Sequence, residues 1–205
     1  HNMAAARFLA HRVYVLQHGR IAESGDIAAV FAHPREAYTA ELIRAKENLA
    51  ALEPVACEAQ NNASPVGELS NVSYAYPAAG FCRRAQPTLK DISLRIYPGE
   101  TLGILGESGS GKNVTSMSIL RLLADTARIK DGSILFEGED LTKLSKKQIR
   151  KIRGEKIAMI FQDPMSSLNP LIPVGKQVSE MIREHHPDKS REELKKEVME
   201  LFSRV

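Results

Sequence analysis

The chain has 205 residues, 43% hydrophobic and 26% charged, with 28 Lys and Arg against 25 Asp and Glu for a net charge of +3. That is enough for one large domain or parts of two, with a core of ordinary size. The scattered basic residues argue against nucleic-acid binding, no apolar run approaches the ~18 residues of a membrane span, and two cysteines outside any C-x-x-C (Cys57 and Cys82) argue against a disulfide framework or zinc site and fit a reducing cytosol.

In chain order, residues 3–11 favour a helix on propensity. Arg12 to Leu16 and Arg20 to Glu23 read as two strands around His18-Gly19, a hairpin signal. Asp26 is a candidate N-cap for a helix from Ile27 to Ala32. Pro34 interrupts, and a helical run from Glu36 to Leu52 puts Tyr38, Leu42 and Ala45 on one face. From Glu53 to Gly67 the composition turns to small polar residues with Pro54 and Pro65, which predicts an interdomain linker.

A second unit begins at Glu68. Leu69–Tyr74 and Leu89–Ile96 alternate apolar and polar residues as half-buried strands do. Thr101–Leu105 predicts a short buried strand, and Val114, Met117, Ile119, Leu120, Leu122 and Leu123 a largely buried helix behind it. Gly132–Phe136 predicts a strand with a turn at Glu137–Asp140. Lys146–Arg153 reads as a basic helix whose lysines and arginines form a solvated face, and Lys156–Phe161 as another buried strand. His185-His186 reads as a solvated loop, and Ser190–Glu193 as a capping box opening a last helix with Leu194, Val198, Leu201 and Val205 at helical spacing.

Between the strand at 101–105 and its helix stands Gly106-Glu107-Ser108-Gly109-Ser110-Gly111-Lys112-Asn113. The pattern G-x-x-x-x-G-K-[ST], entered by a strand and left by a helix, wraps backbone N–H groups around nucleotide phosphates. Glycines let the backbone approach, the helix N-terminus adds donors and partial positive charge, and the lysine adds a full charge. The candidate nucleotide-binding residues are Gly106, Glu107, Ser108, Gly109, Ser110, Gly111, Lys112, Asn113 and Val114. The last motif position, whose hydroxyl ordinarily meets Mg²⁺, is Asn113. Either its amide oxygen serves as a weaker ligand, or metal binding is impaired; on both readings nucleotide binding survives through the backbone and Lys112.

Four features, in a fixed order, carry a resemblance to the nucleotide-binding domain of ABC transporters, in particular the ATPases of peptide and nickel importers. They are Tyr76 in Val72-Ser73-Tyr74-Ala75-Tyr76, the loop Gly106–Asn113, Gln162 in Phe161-Gln162-Asp163-Pro164, and the run Met165-Ser166-Ser167-Leu168-Asn169-Pro170. The resemblance spans residues 68–205. It implies an aromatic stack of Tyr76 on adenine, and a Gln162 that meets Mg²⁺ and the attacking water and links the site to a membrane subunit. Residues 1–52 resemble the closing segment of another such domain. There, His1 falls at the family's switch histidine, with Asn2 where Asp is usual, and Gly19–Asp26, Val30-Phe31, Pro34 and Tyr38-Thr39 match the segment that follows.

The fold implied is α/β: a P-loop NTPase (ABC ATPase) core with an antiparallel β subdomain and the start of a helical subdomain. Its predicted organisation is the C-terminal end of a first ATPase domain (1–52), a linker (53–67) and the front of a second (68–205). The opening at His1, the end within a helical pattern, and the lack of the family's L-S-G-G-Q signature and Walker B strand predict a piece of a longer tandem protein with little turnover of its own. In that complete protein, the resemblance implies catalytic roles for Gln162 and His1, metal contacts from Asn113 and Gln162, and ATP and Mg²⁺ as cofactors. It further implies transmembrane permease subunits, an indirect extracytoplasmic solute-binding protein and a second ATPase domain in the same chain as partners, without nucleic acid, at the cytoplasmic face of the inner membrane. The competing expectations are a non-transport ABC ATPase, and a degenerate nucleotide-binding regulatory module marked by Asn113.

Overall fold

A computed structural model describes residues 3–45, 63–75, 87–123, 129–161 and 168–204. The chain divides into two compact units, His1–Lys143 and Leu144–Val205.

The first unit opens with α1 (Met3–Leu9), two residues shorter than expected, and then β1 (Arg12–Gln17) and β2 (Arg20–Asp26). These two pair antiparallel through Gln17↔Arg20. His18 and Gly19 turn the chain with φ of 47° and 76°, the two left-handed residues that a two-residue hairpin loop requires. The Asp26 carboxylate accepts from the amides of Ala28 and Ala29 at 2.9 and 3.1 Å, so the predicted N-cap starts α2 (Ile27–Ala32) as expected. The next helix, α3, covers Ala37–Arg44; its predicted extension toward Leu52 lies outside the described residues.

β1 has a second neighbour. β5 (Leu102–Leu105) runs parallel to it, Arg12 opposite Leu102 and Val15 opposite Leu105. A strand from the segment before the expected linker therefore sits beside the strand that feeds the glycine-rich loop, in a three-stranded sheet ordered β2-β1-β5. Met3, Ala10, Val13, Val15, Ile27, Val30, Leu42 and Leu105 form one buried cluster against it, with Tyr38 and Phe31 packed on its edge. The pairing is reinforced at its end by Arg12, whose guanidinium lies 3.0 Å from Glu100, a carboxylate only 5% exposed.

The other sheet is antiparallel and ordered β4-β3-β6-β7. β3 (Gly67–Ala75) pairs with β4 (Pro87–Ile96) on one side and β6 (Ile129–Phe136) on the other, and β7 is the two-residue Glu139–Asp140. The alternation seen in the sequence is the burial pattern: Leu69, Val72, Tyr74, Leu89, Ile92, Leu94 and Ile134 are all buried. Asn71 and Asp91 break the ladder with φ of 52° and 55°. At each break a serine of the opposite strand takes over, Ser93 Oγ accepting from the Asn71 amide and Ser73 Oγ from the Asp91 amide.

In the second unit, α5 (Lys146–Ile152) begins at a capping box of Ser145 and Gln148. Helix α6 (Val174–His185) is followed by α7 (Arg191–Ser203). The predicted Ser190–Glu193 box is formed: Ser190 Oγ accepts from the Glu193 amide while Glu193 accepts from the Ser190 amide at 2.8 Å. Leu194 and Val198 are buried as expected, whereas Leu201 is exposed. Two expectations are corrected here. Lys156–Phe161 is not a buried strand: a single bridge, Arg153↔Ile157, is its ladder, Ile160 is 98% exposed and Phe161 lies largely open. The run has a strand's apolar content but no partner strand among the described residues, and unpaired backbone cannot be buried at low cost. His185 closes α6 instead of lying in a loop, its Nδ1 3.4 Å from the Glu155 carboxylate.

Candidate phosphate-binding site

The predicted strand, loop and helix are all present. β5 ends at Leu105, the loop runs from Gly106 to Gly111, and α4 spans Lys112–Ile119. Gly106, Gly109 and Gly111 have φ of 150°, 80° and 108°, backbone that side-chain-bearing residues rarely adopt. At Gly106 sterics add to this: a Cβ there would stand 2.3 Å from the Leu16 carbonyl oxygen and 2.6 Å from Ser110 Oγ. The loop is thus pressed against β1 on one side and open to solvent at Glu107, Ser108 and Gly109 on the other.

Lys112 turns back into this loop. Its Nζ donates to the carbonyls of Gly106 at 2.8 Å and Glu107 at 2.7 Å, with Ser110 Oγ at 3.4 Å. An ammonium group therefore lies within a ring of backbone, beside the N-terminus of α4, where the first-turn amides lack helical acceptors. Charge and free amides at a helix N-terminus, on a loop open to solvent, suit a polyphosphate. Asn113 and Val114 follow on the first turn, Asn113 exposed and Val114 half-buried. Asn113 is a neutral oxygen donor, a weaker partner for Mg²⁺ than the carboxylates that dominate such sites. Among the described residues no group of three or more His, Cys, Asp or Glu could hold a metal ion.

The helix behind the loop differs from the expectation of an apolar, largely buried element. Its most buried residues are Thr115 and Ser118, both fully inaccessible, while Val114, Met117 and Ile119 are half-buried; the helix ends at Ile119, and beyond it Leu120 is buried as expected and Leu122 and Leu123 are half-buried. Thr115 Oγ1 donates to the Gly111 carbonyl at 3.0 Å and Ser118 Oγ to the Thr115 carbonyl at 2.7 Å. Both hydroxyls are satisfied by their own helix, so they are buried without an unpaired polar group.

Three residues read as functional from sequence lie outside the described residues: His1, Tyr76 and Gln162. The structure in turn supplies contacts that sequence reading did not assign to the loop. The Gly19 amide donates to the Ser110 carbonyl at 2.9 Å, and the Gly19 carbonyl accepts from the Lys90 amide at 2.8 Å. The Glu107 amide donates to the Tyr38 hydroxyl at 3.1 Å. Tyr38 is positioned by α3, whose N-terminal end is held by Glu23 of β2. That carboxylate is buried and accepts from the amides of Arg35 at 2.9 Å and Glu36 at 3.2 Å. Burial pushes the Glu23 carboxyl up, but the two amides and the charge of Arg35 outweigh it and hold it below the ordinary glutamate range.

A family model described as ABC transporter matches residues 89–205, more than half of the chain. An uncharacterized ABC transporter ATP-binding protein of Escherichia coli, YejF, is 36% identical over the whole chain, which covers 37% of that protein. The oligopeptide transport ATP-binding protein OppD of Bacillus subtilis is 48% identical over 57% of the chain and 33% of its own length. A putative peptide import ATP-binding protein of Brucella abortus is 42% identical over 69% of the chain and 42% of its own length. The chain thus spans well under half the length of these relatives. Among solved structures, the dimeric ATP-binding cassette MJ0796 bound to ADP and Pi aligns with a TM-score of 0.53 at 26% identity, covering 65% of this chain and 54% of that one. The loop and its flanking elements, together with these matches, place the chain in the ABC transporter ATP-binding family, with the P-loop cassette fold.

Proposed function

We propose that the chain is the nucleotide-binding part of an ATPase that powers import of peptides or a related small solute through a membrane permease. The observation that carries this is the Gly106–Lys112 loop, with its ammonium group held among open backbone at a helix N-terminus. The peptide-import names of the relatives support the solute class. ATP, when bound, supplies the free energy of phosphoryl transfer to water. On the protein side the work is positioning and charge stabilisation: Lys112 and the loop amides hold the outer phosphates, and Asn113, with Gln162, offers neutral oxygens toward Mg²⁺. Tyr76 and His1 take the adenine and γ-phosphate roles that the family resemblance implies.

On this reading residues 1–52 close one ATPase domain, 53–67 link, and 68–205 open a second. Hydrolysis belongs to the complete protein, where the loop faces a second ATPase domain at the cytoplasmic face of the inner membrane, beside permease subunits and, through them, a solute-binding protein. No described helix is long and apolar enough to cross a membrane. Titration of ADP and ATP into this chain tests the first part: saturable binding supports it, and its absence overturns it. For the second part, the complete protein is reconstituted with its permease, and peptide-dependent ATP hydrolysis is the expected outcome.

A further inference from the structure

We infer that Tyr38 is a positioning residue for the phosphate loop, holding the Gly106–Glu107 peptide group in the orientation that nucleotide binding requires; the inference rests on the nucleotide-binding reading above. That one peptide group is gripped at both ends. Its carbonyl accepts from Lys112 Nζ at 2.8 Å, and its N–H donates to the Tyr38 hydroxyl at 3.1 Å.

The two grips are not equivalent. Lys112 is the side chain whose charge serves the outer phosphates, so on binding it exchanges its carbonyl partners for phosphate oxygens. Tyr38 has no such alternative duty. Its ring is half-buried against the core cluster of Met3, Val13, Val15 and Leu42, and its helix is held by Glu23. Gly106 is the residue at which the peptide group could rotate, since a glycine at φ 150° has neighbouring conformations that other residues lack. Rotation would turn the carbonyl where the N–H now points. The Tyr38 hydroxyl opposes this while Lys112 is engaged elsewhere, and so keeps the loop ordered through the exchange.

Tyr38 stands 69 residues before Glu107. The hold is therefore a tertiary contact that the loop motif itself does not contain.

The test is Tyr38→Phe in this chain, which keeps the ring and its packing and removes only the oxygen. ADP and ATP affinities are expected to fall together by about fivefold, the worth of one ordinary hydrogen bond. Hydrogen exchange at the Glu107 amide is expected to quicken by a similar factor, with exchange along β1 and β5 quickened no more than the loss of that one bond accounts for. A purely structural role would instead quicken exchange evenly across the sheet and leave the nucleotide affinity of the folded chain unchanged. Wild-type affinity in Tyr38→Phe, or unaltered protection of Glu107, overturns the inference while leaving the proposed function standing. A wild-type chain that binds neither nucleotide overturns both.

Discussion

Lys112 Nζ lies 2.8 Å from the carbonyl oxygen of Gly106, six residues earlier in the chain. The loop is closed on its own lysine, so a bound phosphate must replace these contacts while gaining a full charge. Lys112→Ala removes that charge, and a hydrogen bond to a charged group is worth about 1.5–3 kcal/mol. ATP affinity measured by calorimetry is expected to fall by at least tenfold. Lys112→Arg is not expected to restore it, because a planar guanidinium does not fit where a compact ammonium turns back between two carbonyls.

Asn113 occupies the first turn of α4 with its side chain exposed. Its amide is bulkier than a serine hydroxyl and carries its oxygen one bond further from the backbone, away from where the motif's hydroxyl would stand. Asn113→Ser is expected to increase the gain in ATP affinity on adding Mg²⁺, by several-fold, and to leave Mg²⁺-free binding nearly unchanged. Titrations of the complete protein with and without Mg²⁺ check this, and hydrolysis should rise in step. Equal Mg²⁺ dependence in both forms would remove Asn113 from the metal's surroundings.

The His18-Gly19 turn couples the hairpin to the loop. A Cβ on Gly19 would stand 2.1 Å from the Thr88 carbonyl oxygen, at a φ of +76°. Backbone, not a flexible side chain, blocks it, so Gly19→Ala must move either the turn or β4. The Gly19 amide would then lose its grip on the Ser110 carbonyl. A loss of about 2 kcal/mol in stability is expected, together with weaker nucleotide binding. His18→Gly, which relieves a left-handed non-glycine residue at φ 47°, serves as the control and should cost far less.

Much of this architecture is legible in the sequence where the signal is local. The hairpin at His18-Gly19, the Asp26 cap, the alternation of β3 and β4 and the Ser190 box each depend on residues within a few positions of one another, and each is formed. The glycine-rich loop is legible for the same reason. The buried face of α4 is not, because Thr115 and Ser118 are buried with their hydroxyls bonded to their own helix, which an apolar count misses. The Lys156–Phe161 run fails differently: its composition is a strand's, but strand formation needs a partner that no local pattern can supply. The hold of Tyr38 on Glu107 is of the same kind. Nothing near either residue marks the other, and only the parallel pairing of β1 with β5 brings α3 to the loop.

Glu23 gives the chain a pH-dependent element. Its carboxylate is 8% exposed and caps the start of α3 through the Arg35 and Glu36 amides. Its pKa lies below the ordinary 4.5 in the folded protein, despite burial, because these donors favour the charged form. A group with a lowered folded pKa stabilises the fold fully above its unfolded value, and that contribution is lost as pH falls through the folded one. Stability from Glu23 is therefore present at neutral pH and declines below about pH 4.5. Glu23→Gln replaces one acceptor oxygen with a donor that faces an amide, at a cost of about 1–3 kcal/mol at neutral pH. Urea unfolding between about pH 7 and pH 3 should show the wild type losing its advantage as the acid limb is entered, the two curves converging at the low end. Because α3 carries Tyr38, Glu23→Gln should also quicken exchange at Glu107 at neutral pH. Parallel curves with a constant offset would show that the carboxylate's charge is not what holds α3.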